Sequence, residues 1–241
     1  MSPQENNKKG IIGRRELILG GGAGLGALGV GAPALAGAAA AGGLAIPSDL
    51  DEAESLMAGN CVLSASDVQG PFWLNLALLR QDITEGTVGM PLVFYIKLMD
   101  GINCAPIANA VVDVWHDDPD GKYSGFASEG TAGLTHLRGI QVSDANGIVK
   151  FVSVFPGWYT GRTPHLHLKI NPNAGSELTT QLYFPDVIHE RVYEFPPYDV
   201  HGQSPVNNET DNFFNPSLLM TMRQPPAGPP KLVAGKRITI I

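Results

Sequence analysis

The sequence has little charge, few cysteines and no basic run. Charged residues make up 16% of its 241 positions, and the formal net charge is −7. No Lys/Arg cluster interleaves with aromatics, so the electrostatic footprint of a nucleic-acid or anionic-membrane partner is missing. Beyond residue 45 no stretch approaches the ~20 apolar residues that a membrane span needs. Helix-period patterns are scarce; only 49–57 and 216–222 could each form a turn or two. No internal repeat is visible. There are two cysteines, Cys61 and Cys104, and sequence alone leaves open one disulfide or two buried thiols.

What is abundant at the N-terminus is glycine and alanine. GRRELILGGGAGLGALGVGAPALAGAAAAGG places Arg14 and Arg15 before a weakly apolar run, with Ala34-Leu35-Ala36 as a cleavage site of the A-x-A kind. Paired arginines before a Gly-rich segment resemble a bacterial twin-arginine signal. The expectation is an exported, periplasmic or extracellular protein with no membrane attachment in its mature form; the alternative is a retained anchor. Twin-arginine export carries folded cargo, which suits a protein that takes up a cofactor first. Without residues 1–36, 12 basic and 21 acidic residues remain, a charge of −9. The chain divides into a signal and linker over 1–45 and one domain over 46–241.

Within that domain, short β-rich runs recur between turn residues: 91–100, 108–117, 139–144, 148–155, 165–170, 179–184 and 236–241. Such spacing predicts an all-β fold, a β-sandwich of mostly antiparallel strands with long ordered loops. The Pro- and Asn-rich stretch 185–230 reads as one such loop.

GWYTGRTPHLH (157–167) concentrates the chemistry. His165 and His167 stand two apart in a predicted strand, so both rings share a face and could serve one metal. Neither cysteine is near, which argues against a thiolate zinc site, and no carboxylate follows where a His-His-carboxylate iron(II) site would place it. Tyr159 precedes the pair. A phenol titrates near pH 10, so only a strongly Lewis-acidic cation such as ferric iron keeps it ionised at neutral pH. Charge balance then asks for a second phenolate, and Tyr123, in a turn after a predicted strand, is the candidate.

The segments GPFW (70–73), RQDITEGTVGMPL (80–92), AVVDVWHDDPDGKYSGF (110–126), LRGIQVSDANGIVKFVSVFPGWYTGRTPHLH (137–167) and QLYF (181–184) resemble the intradiol ring-cleaving dioxygenases, the catechol and protocatechuate dioxygenase family. The resemblance runs from about residue 61 to the C-terminus. It implies one non-haem Fe(III) per chain. The implied ligands are Tyr123 and His165 as equatorial, and Tyr159 and His167 as axial, with Tyr159 released when substrate binds. Arg162 and Gln181 match the family's active-site arginine and glutamine, and Gly70-Pro71 its pocket mouth. The implied reaction consumes O2 and a small aromatic diol, cleaving the ring between the hydroxylated carbons to a muconate-type diacid, as in aromatic catabolism. The Tyr159–His165 link is six residues, as in compact secreted relatives, and only about 30 residues of the expected mature chain precede Gly70. That leaves no room for the helical dimerisation segment of the catechol enzymes, so oligomeric state and preferred catechol stay open.

A second reading of a different class is a transthyretin-like β-sandwich binding or structural module without catalysis. In it Tyr123 packs on Trp115 and Arg162 is a surface charge. A zinc or copper hydrolase using the same histidines is a third. Trp115 and Trp158 read as core, His116 and His136 as supporting groups, and His189 and His201 as solvated loop residues. Asp113 is expected to anchor a loop or to hold a ligand histidine.

Overall fold

In this computed structural model, residues 49–173, 175–223 and 231–241 are described. The expected signal and linker, 1–45, lie outside the described residues.

The run 91–100 is nearly all apolar, and this decides its place. A strand solvated on one face alternates, whereas one covered on both faces does not. β1 (Pro91–Asp100) is covered on both. Leu92, Phe94, Ile96 and Leu98 enter the main core, while Val93 and Tyr95 pack outward with Leu56 and Met57 from helix α1 (Asp49–Leu56) and the turn after it. β1 pairs antiparallel with β4 (Ile148–Val154) and parallel with β8 (Leu232–Ile240), which in turn pairs with β7 (Thr221–Arg223). This sheet runs β4-β1-β8-β7. Gly235 of β8 is required by the helix: a Cβ there would lie 2.7 Å from Cβ of Leu56.

The second sheet runs β3-β2-β5-β6. Its strands are β2 (Val111–Trp115), β3 (Arg138–Val142), β5 (His165–Asn171) and β6 (Leu178–Tyr183), all paired antiparallel. Here alternation is clear. Val112, Val114, Leu166, Leu168, Ile170, Leu178 and Leu182 face the first sheet and fill the core between the two. Asp113, Trp115, His165, His167, Lys169, Gln181 and Tyr183 are therefore on the opposite face. Bridges at Leu79–Ile140 and Asp82–Val152 let one segment close the edge shared by β3 and β4. The fold is the all-β sandwich expected, and every predicted strand is present.

Three readings are corrected. The stretch 185–230 is not only loop: it holds helix α2 (Asp186–Val192), which sends Val192 into the core, and strand β7. Residues 216–222 split into a short 3₁₀ helix, Pro216–Leu218, and the start of β7. His189 is buried in α2, with Nε2 2.9 Å from Asp186 Oδ1. Cys61 and Cys104 are joined by a disulfide, Cα–Cα 5.8 Å.

Candidate metal centre and its polar wall

The outward face of the second sheet would be solvated if nothing lay on it. Four loops roof it, around Asp67–Trp73, Asp118–Phe126, Pro156–Thr163 and Asn207–Phe214, and the face becomes a buried site. Strand register sets its floor: His165 lies opposite Tyr183, and His167 sits between Gln181 on β6 and Trp115 on β2.

His165 Nε2 and His167 Nε2 are 3.1 Å apart. Tyr123 Oη is 3.1 Å from His167 Nε2, and Tyr159 Oη is 3.2 Å from His165 Nε2. The four donor atoms singled out from the sequence thus converge from three separate segments. Neighbouring ligands of one ion, with bonds of about 2.0–2.2 Å to N or O, stand about 2.9–3.5 Å apart, and these spacings fall in that range. Among the described residues no three His, Cys, Asp or Glu side chains cluster as a metal site, so the phenols are indispensable to this one.

Protonation fits a cation. His165 Nδ1 donates to the Thr163 carbonyl at 2.7 Å, which leaves the Nε2 lone pair facing the centre. Burial, helped by the Arg162 charge, pushes His165 down to about 3. Burial, with His165 and Arg162 behind it, holds His167 well below the usual histidine range. Both rings are neutral ligand-type imidazoles at neutral pH. The phenols move the other way. Burial raises Tyr123 well above its ordinary value, and burial pushes Tyr159 up to about 12 despite Arg162. Neither phenol ionises unaided, so a metal that binds both as phenolates must be strongly Lewis-acidic.

Packing fixes the ring planes. Tyr123 is stacked on Phe72, centroids 4.3 Å apart, rather than on Trp115. Trp115 is instead stacked on His167 at 5.0 Å. Gly70, at φ +68°, lies against His167: a Cβ there would stand 3.2 Å from Cε1. His167 Nδ1 is buried and makes no hydrogen bond of normal geometry among the described residues; the Val68 carbonyl, which accepts from the Gln181 amide at 2.7 Å, favours a proton on this ring.

Arg162 is no surface charge; only 8% of it is exposed. Burial opposes its charge, but Tyr159 and Asp211 outweigh burial and raise its pKa. Its Nε donates to Asp211 Oδ2 at 2.9 Å. One terminal nitrogen donates to Gln181 Oε1 and, at 3.3 Å, to Tyr183 Oη. The other stands 3.5 Å from His165 Nε2. Tyr183 Oη donates to Asp67 Oδ2 at 2.6 Å.

Asp211, Asp67, Tyr183 and Phe72 were not singled out from the sequence. Tyr183 was within reach, because it follows Gln181 by two in a strand and so shares its face. Asp113 anchors a loop: its Oδ2 accepts from Trp73 Nε1 at 2.9 Å. His116 is structural and buried, with Nδ1 2.7 Å from the Asp117 carbonyl and Nε2 2.7 Å from Ser153 Oγ. His136 lies 3.7 Å from Asp118, and His201 is exposed beside Trp158.

The likeness to known proteins follows the same residues. A family model described as Dioxygenase matches residues 68–191. A chlorocatechol 1,2-dioxygenase of Pseudomonas sp. (strain P51) is 36% identical over 140 residues, 48% of this chain and 54% of that protein. The chain spans about half the length of the curated relatives it matches. Among solved structures, an intradiol ring-cleavage dioxygenase from Tetranychus urticae superposes with TM-score 0.70 at 28% identity, over 75% of this chain and 95% of that one. A 3-chlorocatechol 1,2-dioxygenase from Rhodococcus opacus 1CP gives 0.59 at 25% identity, over 73% and 72%. With the family model covering more than half of the sequence, and with relatives of this chemistry on both sides, the chain belongs to the intradiol ring-cleavage dioxygenase family.

Proposed function

We propose that the protein is a non-haem Fe(III) dioxygenase that cleaves a catechol-type ring between its two hydroxylated carbons with O2, giving a muconate-type diacid. One iron per chain would be held by Tyr123, Tyr159, His165 and His167. The observation that carries this reading is the convergence of two phenol oxygens and two imidazole nitrogens at 3.1–3.2 Å in a buried site. A binding module would have no use for it.

A ferric ion there would supply the Lewis acidity that keeps the phenols and the substrate hydroxyls ionised and draws electron density from the ring. The chain does the rest. Tyr159 is the half-buried phenol of the two, so its oxygen can leave the centre and take one catechol proton, while Tyr123, wholly buried and stacked on Phe72, stays. Arg162 offers a fixed cation beside His165, where negative charge on the substrate develops; a prepositioned donor of this kind is worth about 3 kcal/mol in the transition state. Gln181 is held between Arg162 and the Val68 carbonyl and orients what binds.

The test is iron-loaded protein assayed for O2 uptake over catechol, protocatechuate, hydroxyquinol and chlorinated catechols. The expected outcome is a red-brown protein with ring cleavage, both lost in His165→Ala. Colourless protein at full iron occupancy, or cleavage retained in His165→Ala, would overturn the reading.

We also propose export by the twin-arginine-type segment, to a periplasmic or extracellular site. The disulfide supports it, since such bonds persist in oxidising compartments. No helix among the described residues is long and apolar enough to cross a membrane. Replacing Arg14 and Arg15 by lysine should retain the protein in the cytoplasmic fraction; unchanged export would refute this route.

A further inference from the structure

The Arg162 guanidinium has three nitrogens, and the site needs one of them. Its Nε is taken by Asp211 and one terminal nitrogen by Gln181 and Tyr183, so a single terminal nitrogen remains toward His165. Gln181 and Tyr183 are neutral. Among the described residues Asp211 is the one carboxylate bonded to the fork, with a fully buried side chain that belongs to a loop 49 residues away in sequence. The same carboxylate does a second thing. Its Oδ2 also accepts from the Thr163 backbone N–H at 2.9 Å, and the Thr163 carbonyl is the acceptor for His165 Nδ1. Phe213, two residues on, lies under the guanidinium at 4.7 Å. Asn208, three residues before, meets Thr163 Oγ1 at 3.1 Å and donates to the Phe184 carbonyl at 2.8 Å, which ties the loop to the end of β6.

We propose that Asp211 is the positioning residue of the site: one carboxylate sets the direction of the Arg162 fork and fixes the Thr163 turn that orients His165. Asp211 touches neither the donor atoms nor the substrate position and acts only through these two neighbours. A terminal Arg nitrogen aimed at the centre is an orientation requirement as much as a charge. A guanidinium that swings about its side chain keeps its charge and loses its aim. This inference rests on the role assigned to Arg162 above, and it is tested separately from it.

The first arm needs no metal and no turnover. A crystal structure of metal-free Asp211→Asn should keep the backbone of 159–167 and show the guanidinium rotated, with no terminal nitrogen within 3.5 Å of His165 Nε2 as in the native chain. A guanidinium that keeps its native contacts would overturn the proposal. The second arm is a kinetic cycle on iron-loaded protein. Asp211→Asn should lower kcat about 10–100-fold, the range for groups that orient a metal site from behind, with KM changed less than about 3-fold and Asp211→Glu recovering part of the loss. In an Arg162→Ala background the same change should cost less than about 2-fold, because the Asn amide oxygen can still accept from the Thr163 N–H and the guanidinium, the other group it acts through, is gone. An equal loss in both backgrounds makes Asp211 a general structural residue and sinks the idea. If the Asn variant does not fold, the Glu variant carries both arms, with the charge kept and its position moved by one methylene. Iron-loaded native protein that cleaves no catechol refutes the proposed function and leaves the crystallographic arm standing.

Discussion

Trp115 and His167 lie face to face, ring centroids 5.0 Å apart and planes within 4° of parallel. They are register partners on β2 and β5. A ligand histidine is usually oriented by a hydrogen bond to its second nitrogen, and His167 Nδ1 has none of normal geometry among the described residues. The indole surface supplies a further constraint on the ring plane. Trp115→Ala should therefore weaken metal affinity about 10–100-fold, read by chelator competition, and destabilise the fold by about 3–5 kcal/mol. Trp115→Phe, which keeps a flat face, should recover most of the affinity. Unchanged affinity in Trp115→Ala would show that the stack is only packing.

Gly70 makes the complementary case from the other side of the same ring. Its φ of +68° disfavours any side chain, and an added methyl would press on His167 at 3.2 Å. Gly70→Ala should cost about 1–2 kcal/mol of stability from the backbone alone, seen in urea unfolding of metal-free protein. It should also shift the visible band of the iron-loaded form. A stability loss with an unmoved band would place the strain in the loop rather than at the ring.

The disulfide sits at the start of the strap that roofs the site. The strap has other ties: Ser64 exchanges hydrogen bonds with Thr239, and Asp67 N donates to the Thr179 carbonyl. The bridge spans 43 residues, and losing it should lower stability by about 2–4 kcal/mol. Site geometry should persist at 25 °C because the hydrogen bonds remain. The Cys61→Ser/Cys104→Ser double variant should show a lower Tm and near-native kcat. A large loss of kcat at low temperature would mean that the bridge holds the site directly.

Acid should unfold the protein partly through His116. Burial pushes this ring down to about 4, against about 6.5 in the unfolded chain. A depressed pKa means that the unfolded state binds the proton first. The stabilisation is complete above pH ~6.5 and is lost as pH falls through about 4, a change of at most about 3 kcal/mol. Urea titrations at pH 7.5 and 4.5 should show this loss, and a His116→Gln variant should show less of it. Parallel pH curves for the two proteins would discount His116.

Much of this was legible in the chain because strands write their faces with a period of two. HLHLKI displays both histidines on one face and the aliphatics on the other, and the structure keeps that division. Tyr123 and Tyr159 were legible only jointly with the histidines, through charge balance and resemblance, since a turn tyrosine carries no period. Asp211 left no trace: it reaches Arg162 across 49 residues from a loop, and loop geometry is set by contacts that sequence spacing does not encode. His189 was misread because α2 hides within a Pro-rich stretch, and its burial follows from Val192 docking in the core. β7, three residues long, is too short to show a period at all.

The parallel pairing of β1 with β8 joins positions 92–100 to 232–240. On a ribosome, the first strand of that pair emerges long before its neighbour exists. Until residues 232–240 arrive, β1 has one unpaired edge and β7 has no partner, so the first sheet cannot assemble in order of synthesis. Ring-type contacts between such distant segments close slowly, and the waiting apolar edge invites foreign strands. Expression should therefore be more sensitive to changes in the last ten residues than to changes in any surface loop.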